Sequence, residues 1–291
     1  MFPRLRLLNG SRSRAVASSP PGRPEVAFVL PGGGSLGAAQ VGMLHALLER
    51  GIRPDVLVGC SVGALNAAFV AMDPTLDQVD RLTAVWSAVT RDHVFGVSRR
   101  RIVANLITRQ DHIYEPDRLL HLIKRFCPID DLAETVVPVH VVTTDLDASR
   151  AAWWTSGDPR QVLYASSCLP GLFPPAVLGG SRHVDGGVLE PVPVQRAVDL
   201  GARTIYLLGQ TIGPEADNPV RLGALDVLIR SFAISRYAKL PDPESLAGAG
   251  QRVLVIPGAD TRGIDIRDFS QTERLMVEGY AAAREFLRRA A

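Results

Sequence analysis

The chain has 291 residues, 46% of them hydrophobic, a formal net charge of +2 and six histidines. That length and apolar content suffice for a sizeable core in one large α/β domain or two small ones, and the near-neutral charge excludes a global pull toward nucleic acid. Three scattered cysteines (Cys60, Cys127, Cys168) without metal-type spacing read as free thiols of a reducing compartment, and no window of ~18 apolar residues marks a membrane-spanning helix.

These features predict a cytoplasmic protein, with the membrane surface as a candidate peripheral contact. The cations are lopsided, 30 arginines against Lys124 and Lys239, which fits the codon bias of a GC-rich genome better than arginine chemistry. Residues 1–24 hold five arginines and no acid. "RLRLLNGSRSR" lacks the apolar core of a signal peptide; a transit peptide fits its composition loosely, and a disordered basic arm fits it better.

A different regime starts at Glu25. "VAFVL" (Val26–Leu30) is a short apolar run ahead of "PGGGSLG" and predicts a buried strand. From Leu36 to Arg50 apolar residues recur at helical spacing (Val41, Leu44, Leu47, Leu48), with Gly51 as the stop. "DVLVG" (Asp55–Gly59) predicts a second strand, and "VGALNAAFVAM" opens a helix of small residues. Strand, glycine loop, helix, strand, sharp turn, helix is the order of a parallel sheet covered by helices. Thr75–Phe126 reads as a mostly helical insertion. Pro138–Leu146, Thr204–Gly209 and Arg252–Gly258 read as further strands, and Gln271–Arg289 as a closing helix. No linker divides residues 25–291, so a single domain is expected.

Gly59-x-Ser61-x-Gly63 sits where an apolar strand meets an Ala-rich helix. That is the setting of a nucleophile elbow, whose crowded backbone requires small flanking residues. The helix N-terminus also turns partial positive charge toward the serine. Cys60, next to Ser61, reads as a small buried turn residue rather than a thiol nucleophile.

The Gly32–Gly37 loop fits two chemistries, a phosphate cradle and an oxyanion hole, since both need backbone N–H groups near a helix start. It lacks the lysine of a P-loop. Gly32, Gly34 and Gly37 do match a dinucleotide fingerprint, with Asp55 roughly 20 residues on as the ribose acid, so an oxidoreductase is a rival reading. The pairing with a serine elbow at the end of the next strand favours acyl transfer, because a dinucleotide site has no use for that serine.

A serine nucleophile needs a base. In "HVDGG" (His183–Gly187), Asp185 precedes two glycines and could take the proton directly, its weak basicity offset by strong oxyanion stabilisation. The order Ser61, Asp145, His183 offers a triad instead.

"LPGGGSLGAAQVGMLHALLERG", "VGCSVGALNAA", "TTDL", "ASSCLPGLFPP" and "HVDGGVLEPVPV" together resemble the patatin-like phospholipases in order and context, over Glu25–Gly209. The resemblance implies a three-layer α/β/α sandwich with a mainly parallel central sheet. It also implies lipid acyl hydrolysis by a Ser–Asp dyad of Ser61 and Asp185, with an oxyanion hole from Gly32, Gly33, Gly34 and the Val62 N–H. Gly37, Gly59, Gly63, Gly186 and Gly187 complete its motifs. It implies a lipid or ester substrate, no nucleic acid partner, and neither metal nor organic cofactor; it leaves the oligomeric state open. Two positions depart from the family pattern: Leu36 stands where Arg or Lys is usual, and Glu190-Pro191 where asparagines are common.

Three other features invite membrane readings. Ser98–Gln110 joins three arginines to an apolar run, Trp153–Trp154 is an aromatic pair, and Arg221–Leu240 is amphipathic. A solvated basic face, core packing and a sheet-covering helix are the plainer readings of each. A lipid-binding or regulatory protein that kept the pocket and lost turnover is the rival from a different functional class.

Overall fold

The computed structural model describes residues 22–96, 111–209, 243–248 and 250–290, with Val227, Ser231 and Ile234 as single positions between. Most of the basic arm (residues 1–21), Ser98–Gln110 and nearly all of Arg221–Leu240 lie outside the described residues.

The five predicted strands are present: β1 (Val26–Leu30), β2 (Val56–Cys60), β3 (Val139–Asp145), β7 (Thr204–Leu208) and β8 (Arg252–Ile256). They pair in parallel in the order β3-β2-β1-β7-β8. Three further strands extend this sheet with antiparallel pairing: β4 (Arg150–Trp154) and β6 (Ser181–Asp185) on β3, and β5 (Ala176–Leu178) on β6.

Side chains alternate across the parallel strands. Phe28, Leu30 and Leu57 enter the larger core, while Ala27, Val29, Val56 and Val58 enter a smaller one on the opposite face. The larger core is covered by α1 (Ala38–Glu49), α2 (Val62–Ala71), α3 (Leu76–Ala88), α4 (Arg91–Phe95), α5 (Asp117–Phe126), α6 (Pro159–Ser167) and, at the end of the chain, α9 (Thr272–Ala290). The smaller core is covered by α7 (Val194–Asp199), with Leu246 of α8 (Pro243–Leu246) beside it. The result is a three-layer α/β/α sandwich.

α1 and α2 are buried on nearly all sides, as their largely apolar sequences require, because such a helix has little polar face to give to water. The segment predicted as an insertion supplies α3, α4 and α5. α5 is amphipathic, with Leu119 and Ile123 buried.

Register brings the functional loops together. Cys60, the last residue of β2, pairs with Val142, and β3 runs three residues further. β6 pairs with β3 along that overhang alone, Asp185 opposite Thr143. The end of β6 therefore arrives one register step beyond the end of β2.

Candidate active site

Ser61 follows β2 and caps α2 with φ 54° and ψ −128°. A positive φ is rare for a residue with a side chain and is held only by surrounding contacts. Ser166 of α6 supplies one of them: the Ser61 N–H donates to its Oγ (2.9 Å), and that hydroxyl donates to the Val142 carbonyl of β3 (2.7 Å). Neither Gly59 nor Gly63 has room for a side chain. A Cβ on Gly59 would lie 2.5 Å from Ala64 Cα, and one on Gly63 would strike the Leu30 carbonyl.

The glycine loop leaves β1 and reaches the same sheet edge. A Cβ added to Gly32 would stand 3.1 Å from Ser61 Cβ, which places the loop against the serine. Gly34 takes φ +58° under the Ile266 carbonyl, a position closed to any side chain. The loop is tied on both sides. The Gly32 N–H donates to the Pro191 carbonyl (3.2 Å) and the Ser35 N–H to the Ile266 carbonyl (2.8 Å). The Gly33 and Gly34 N–H groups meet no acceptor among the described residues. Gly37 closes the loop's 3-10 turn (Gly34–Gly37) and leaves no space beyond the Val62 side chain. Val62 is the first residue of α2, where helix geometry gives its N–H no intrahelical partner.

Asp185 ends β6 and is 1% exposed. Its Oδ1 accepts from the Gly187 N–H (2.7 Å) and from the Cys60 thiol (3.9 Å), one residue before Ser61. Its backbone N–H donates to the Cys168 carbonyl (3.0 Å). Gly186 and Gly187 form the turn that follows, Gly186 packed against Val142. Burial, with Asp185's charge adding to it, pushes the Cys168 thiol up to about 12. Cys60, expected in the turn, is instead the buried last residue of β2, and its thiol acts as a hydrogen-bond donor.

Other sequence candidates fall elsewhere. Asp55 binds the N–H groups of Glu25 and Val26 (2.9 Å each) at the opposite end of β1 from the glycine loop, so it cannot meet a ribose held on that loop. His183 shares a hydrogen bond between Nδ1 and Thr143 Oγ1 (3.0 Å) and packs edge-on to Trp154. Asp145 Oδ1 accepts from the Asp147 and Ala148 N–H groups in the hairpin turn. No hydrogen bond or ion pair joins Asp145 to His183, so the triad is not assembled. Trp154 donates to Thr143 Oγ1 (2.9 Å), and Trp153 lies under Arg196; neither lines the cavity at Ser61. Leu36 is buried, and the main-chain bond from Gly32 to Pro191 braces the loop after Asp185 without asparagine side chains.

Ser61 borders an apolar cavity of about 80 Å³, walled by side chains such as Leu65, Trp86, Leu119, Phe126, Phe173 and Phe269. Beneath the glycine loop lies a buried polar network. Asn66 donates to the Gly37 carbonyl and Gln40 Oε1 (3.0 Å each) and accepts from Trp86 Nε1 (2.9 Å), while Gln40 donates to the Pro31 carbonyl (2.7 Å). Both ends of the loop are thereby fixed to α1, α2 and α3. Ser166, Asn66 and Gln40 were not among the residues expected at the site. For the last two, the available signal was an amide inside an otherwise apolar helix.

Residues 28–198 match the profile of a family described as patatin-like phospholipase. An uncharacterized NTE family protein of Mycobacterium tuberculosis strain H37Rv is 26% identical over 228 residues, 75% of this chain and 61% of that protein. Patatin-like phospholipase domain-containing protein 7 of Rattus norvegicus is 27% identical over 194 residues, 66% of this chain and 14% of its own. Lysophospholipase NTE1 of Coccidioides immitis (strain RS) is 27% identical over 289 residues, 91% of this chain and 18% of its own. The chain thus spans less than two thirds of these relatives. Among solved structures, VipD from Legionella pneumophila aligns with a TM-score of 0.47 and 14% identity, covering 92% of this chain and 67% of that one.

Proposed function

The chain belongs to the patatin-like phospholipase family, and from that premise we propose that it is a serine lipid acyl hydrolase with a Ser61–Asp185 dyad, carried by residues 25–291 as one domain. Ser61 Oγ attacks the ester carbonyl as Asp185 accepts its proton. The carbonyl π electrons move onto oxygen, where the N–H groups of Gly33, Gly34 and Val62 receive the charge. Collapse breaks the bond to the alcohol, which leaves with the proton from Asp185. Water, deprotonated by Asp185, then attacks the acyl-serine; collapse breaks the bond to Ser61 Oγ, which takes that proton back from Asp185, and the acid is released. Gly32, whose amide holds Pro191, keeps the loop in place.

The observation that carries this reading is the packing of the glycine loop against Ser61, through Gly32, together with a buried carboxylate that is oriented by Gly187 and bonded by the residue before Ser61. The apolar cavity suits one acyl chain. Together with the lysophospholipase relative, this favours monoacyl phospholipids as the substrate class. Contact with a membrane surface is proposed on the same ground. Among the described residues no helix is long and apolar enough to cross a membrane.

A fluorophosphonate probe tests the nucleophile. Stoichiometric labelling that disappears in Ser61→Ala is the expected result, and failure of the folded protein to label would favour a lipid-binding role without turnover. Lysophospholipid against diacyl phospholipid, with the same variant as blank, tests the substrate class.

A further inference from the structure

Two adjacent serines end α6, and they do different things. Ser166 pins the Ser61 amide. Ser167 lines the cavity that Ser61 borders, and its Oγ is buried with no hydrogen-bond partner among the described residues. A helical serine ordinarily satisfies itself on a carbonyl one turn back, and Ser167 makes no such bond. Burying an unpaired hydroxyl in apolar surroundings is destabilising, and alanine would avoid that penalty.

Apart from Ser61, the cavity's other polar side chains are committed. Asn66 has both ends of its amide engaged, and Trp86 Nε1 is bonded to it. Among the lining residues, hydroxyls come from Ser61 and Ser167 alone. Successive residues are about 3.8 Å apart, so Ser167 stands close to the contact between Ser166 and the nucleophile. The scissile carbonyl oxygen would belong to the loop amides, and the polar leaving group needs water rather than an apolar wall. An oxygen that Ser167 could meet inside the cavity is therefore on the acyl side, near the carbonyl.

We propose that Ser167 is a substrate-binding residue whose hydroxyl pairs with an oxygen at position 2 or 3 of the acyl chain. The favoured substrates are then esters of hydroxy or oxo acids. This inference rests on the Ser61 acyl-hydrolase reading and adds to it the acyl specificity.

The test is a ratio of kcat/KM values for 4-methylumbelliferyl esters: 2- or 3-hydroxyoctanoate over octanoate. The wild type should prefer at least one hydroxy ester by roughly ten-fold, the worth of a buried hydrogen bond. Ser167→Ala should bring that ratio to about one, and Ser167→Thr should keep most of it. Melting of Ser167→Ala at or above the wild-type temperature would accompany this, because an unpaired hydroxyl is removed. A ratio unchanged in Ser167→Ala overturns the proposal, as does a wild type with no preference. Ser167→Cys, close in size with a weaker donor, supplies a second reading of the ratio should the alanine variant misfold. Fluorophosphonate labelling keeps the two readings apart. An enzyme that labels at Ser61 but shows no ratio effect loses only the Ser167 role, whereas one that does not label loses the dyad.

Discussion

A carboxylate at neutral pH is a poor base, so Asp185 in the proposed dyad would depend on where its oxygens are held and on how well the loop amides stabilise charge. Gly187 and Cys60 fix Oδ1. An asparagine could keep those contacts but could not accept the Ser61 proton. Asp185→Asn should lower kcat for ester hydrolysis by roughly two to four orders of magnitude, the usual loss of a general base. His183→Gln, which can keep a bond to Thr143, should retain most of the activity. The reverse pattern in a simple ester assay would remove Asp185 from the mechanism. Ser61 and Asp185 were singled out in the sequence because each adjoins glycines that announce a crowded backbone. Ser166 was not, since a serine near the end of a helix looks the same whether it faces water or holds the Ser61 amide from 105 residues away.

Whole elements were legible where the sequence runs continuously apolar. β1, β2 and β7 are continuous apolar runs and appear within a residue of their expected ends. β4 is RAAWW, with partly exposed positions and no alternation, and β5 has three residues. Neither carries a period that sequence alone could separate from a loop, yet the antiparallel β6 beside β5 delivers Asp185. The apolar helices hid a different feature. α1, α2 and α3 are joined through Gln40, Asn66 and Trp86, whose amide and indole groups are satisfied only by one another and by the glycine loop. Asn66→Ala would leave the Trp86 N–H and the Gln40 carbonyl buried and unpaired. It should cost about 2–4 kcal/mol in urea denaturation and loosen the loop, lowering kcat more than it raises KM. A variant as stable and active as wild type would show that the network does not position the loop.

The two sides of the sheet carry different kinds of chemistry. The thick layer encloses the proposed site. The thinner side holds His140, whose register partner Val58 faces the smaller core. His140 Nδ1 accepts from Arg196 Nε (3.3 Å), and Arg196 also lies over Trp153. Burial, reinforced by the guanidinium charge, lowers the imidazole to about 4 from an ordinary value of 6.5. Between those values the unfolded chain binds a proton that the folded chain refuses, so stability is full above about 6.5 and declines as pH falls toward about 4. Because the ring is partly solvated, the loss should be on the order of 1–3 kcal/mol rather than the full equivalent of the shift. His140→Gln keeps an acceptor for Arg196 and removes the titration. Urea midpoints at pH 7.5 and pH 4.5 should therefore differ less in this variant than in the wild type. The pH dependence of ester hydrolysis, set on the other face, should stay where it was. An equal midpoint difference in both proteins would mean that His140 is solvated in the folded state and that the acid sensitivity arises elsewhere.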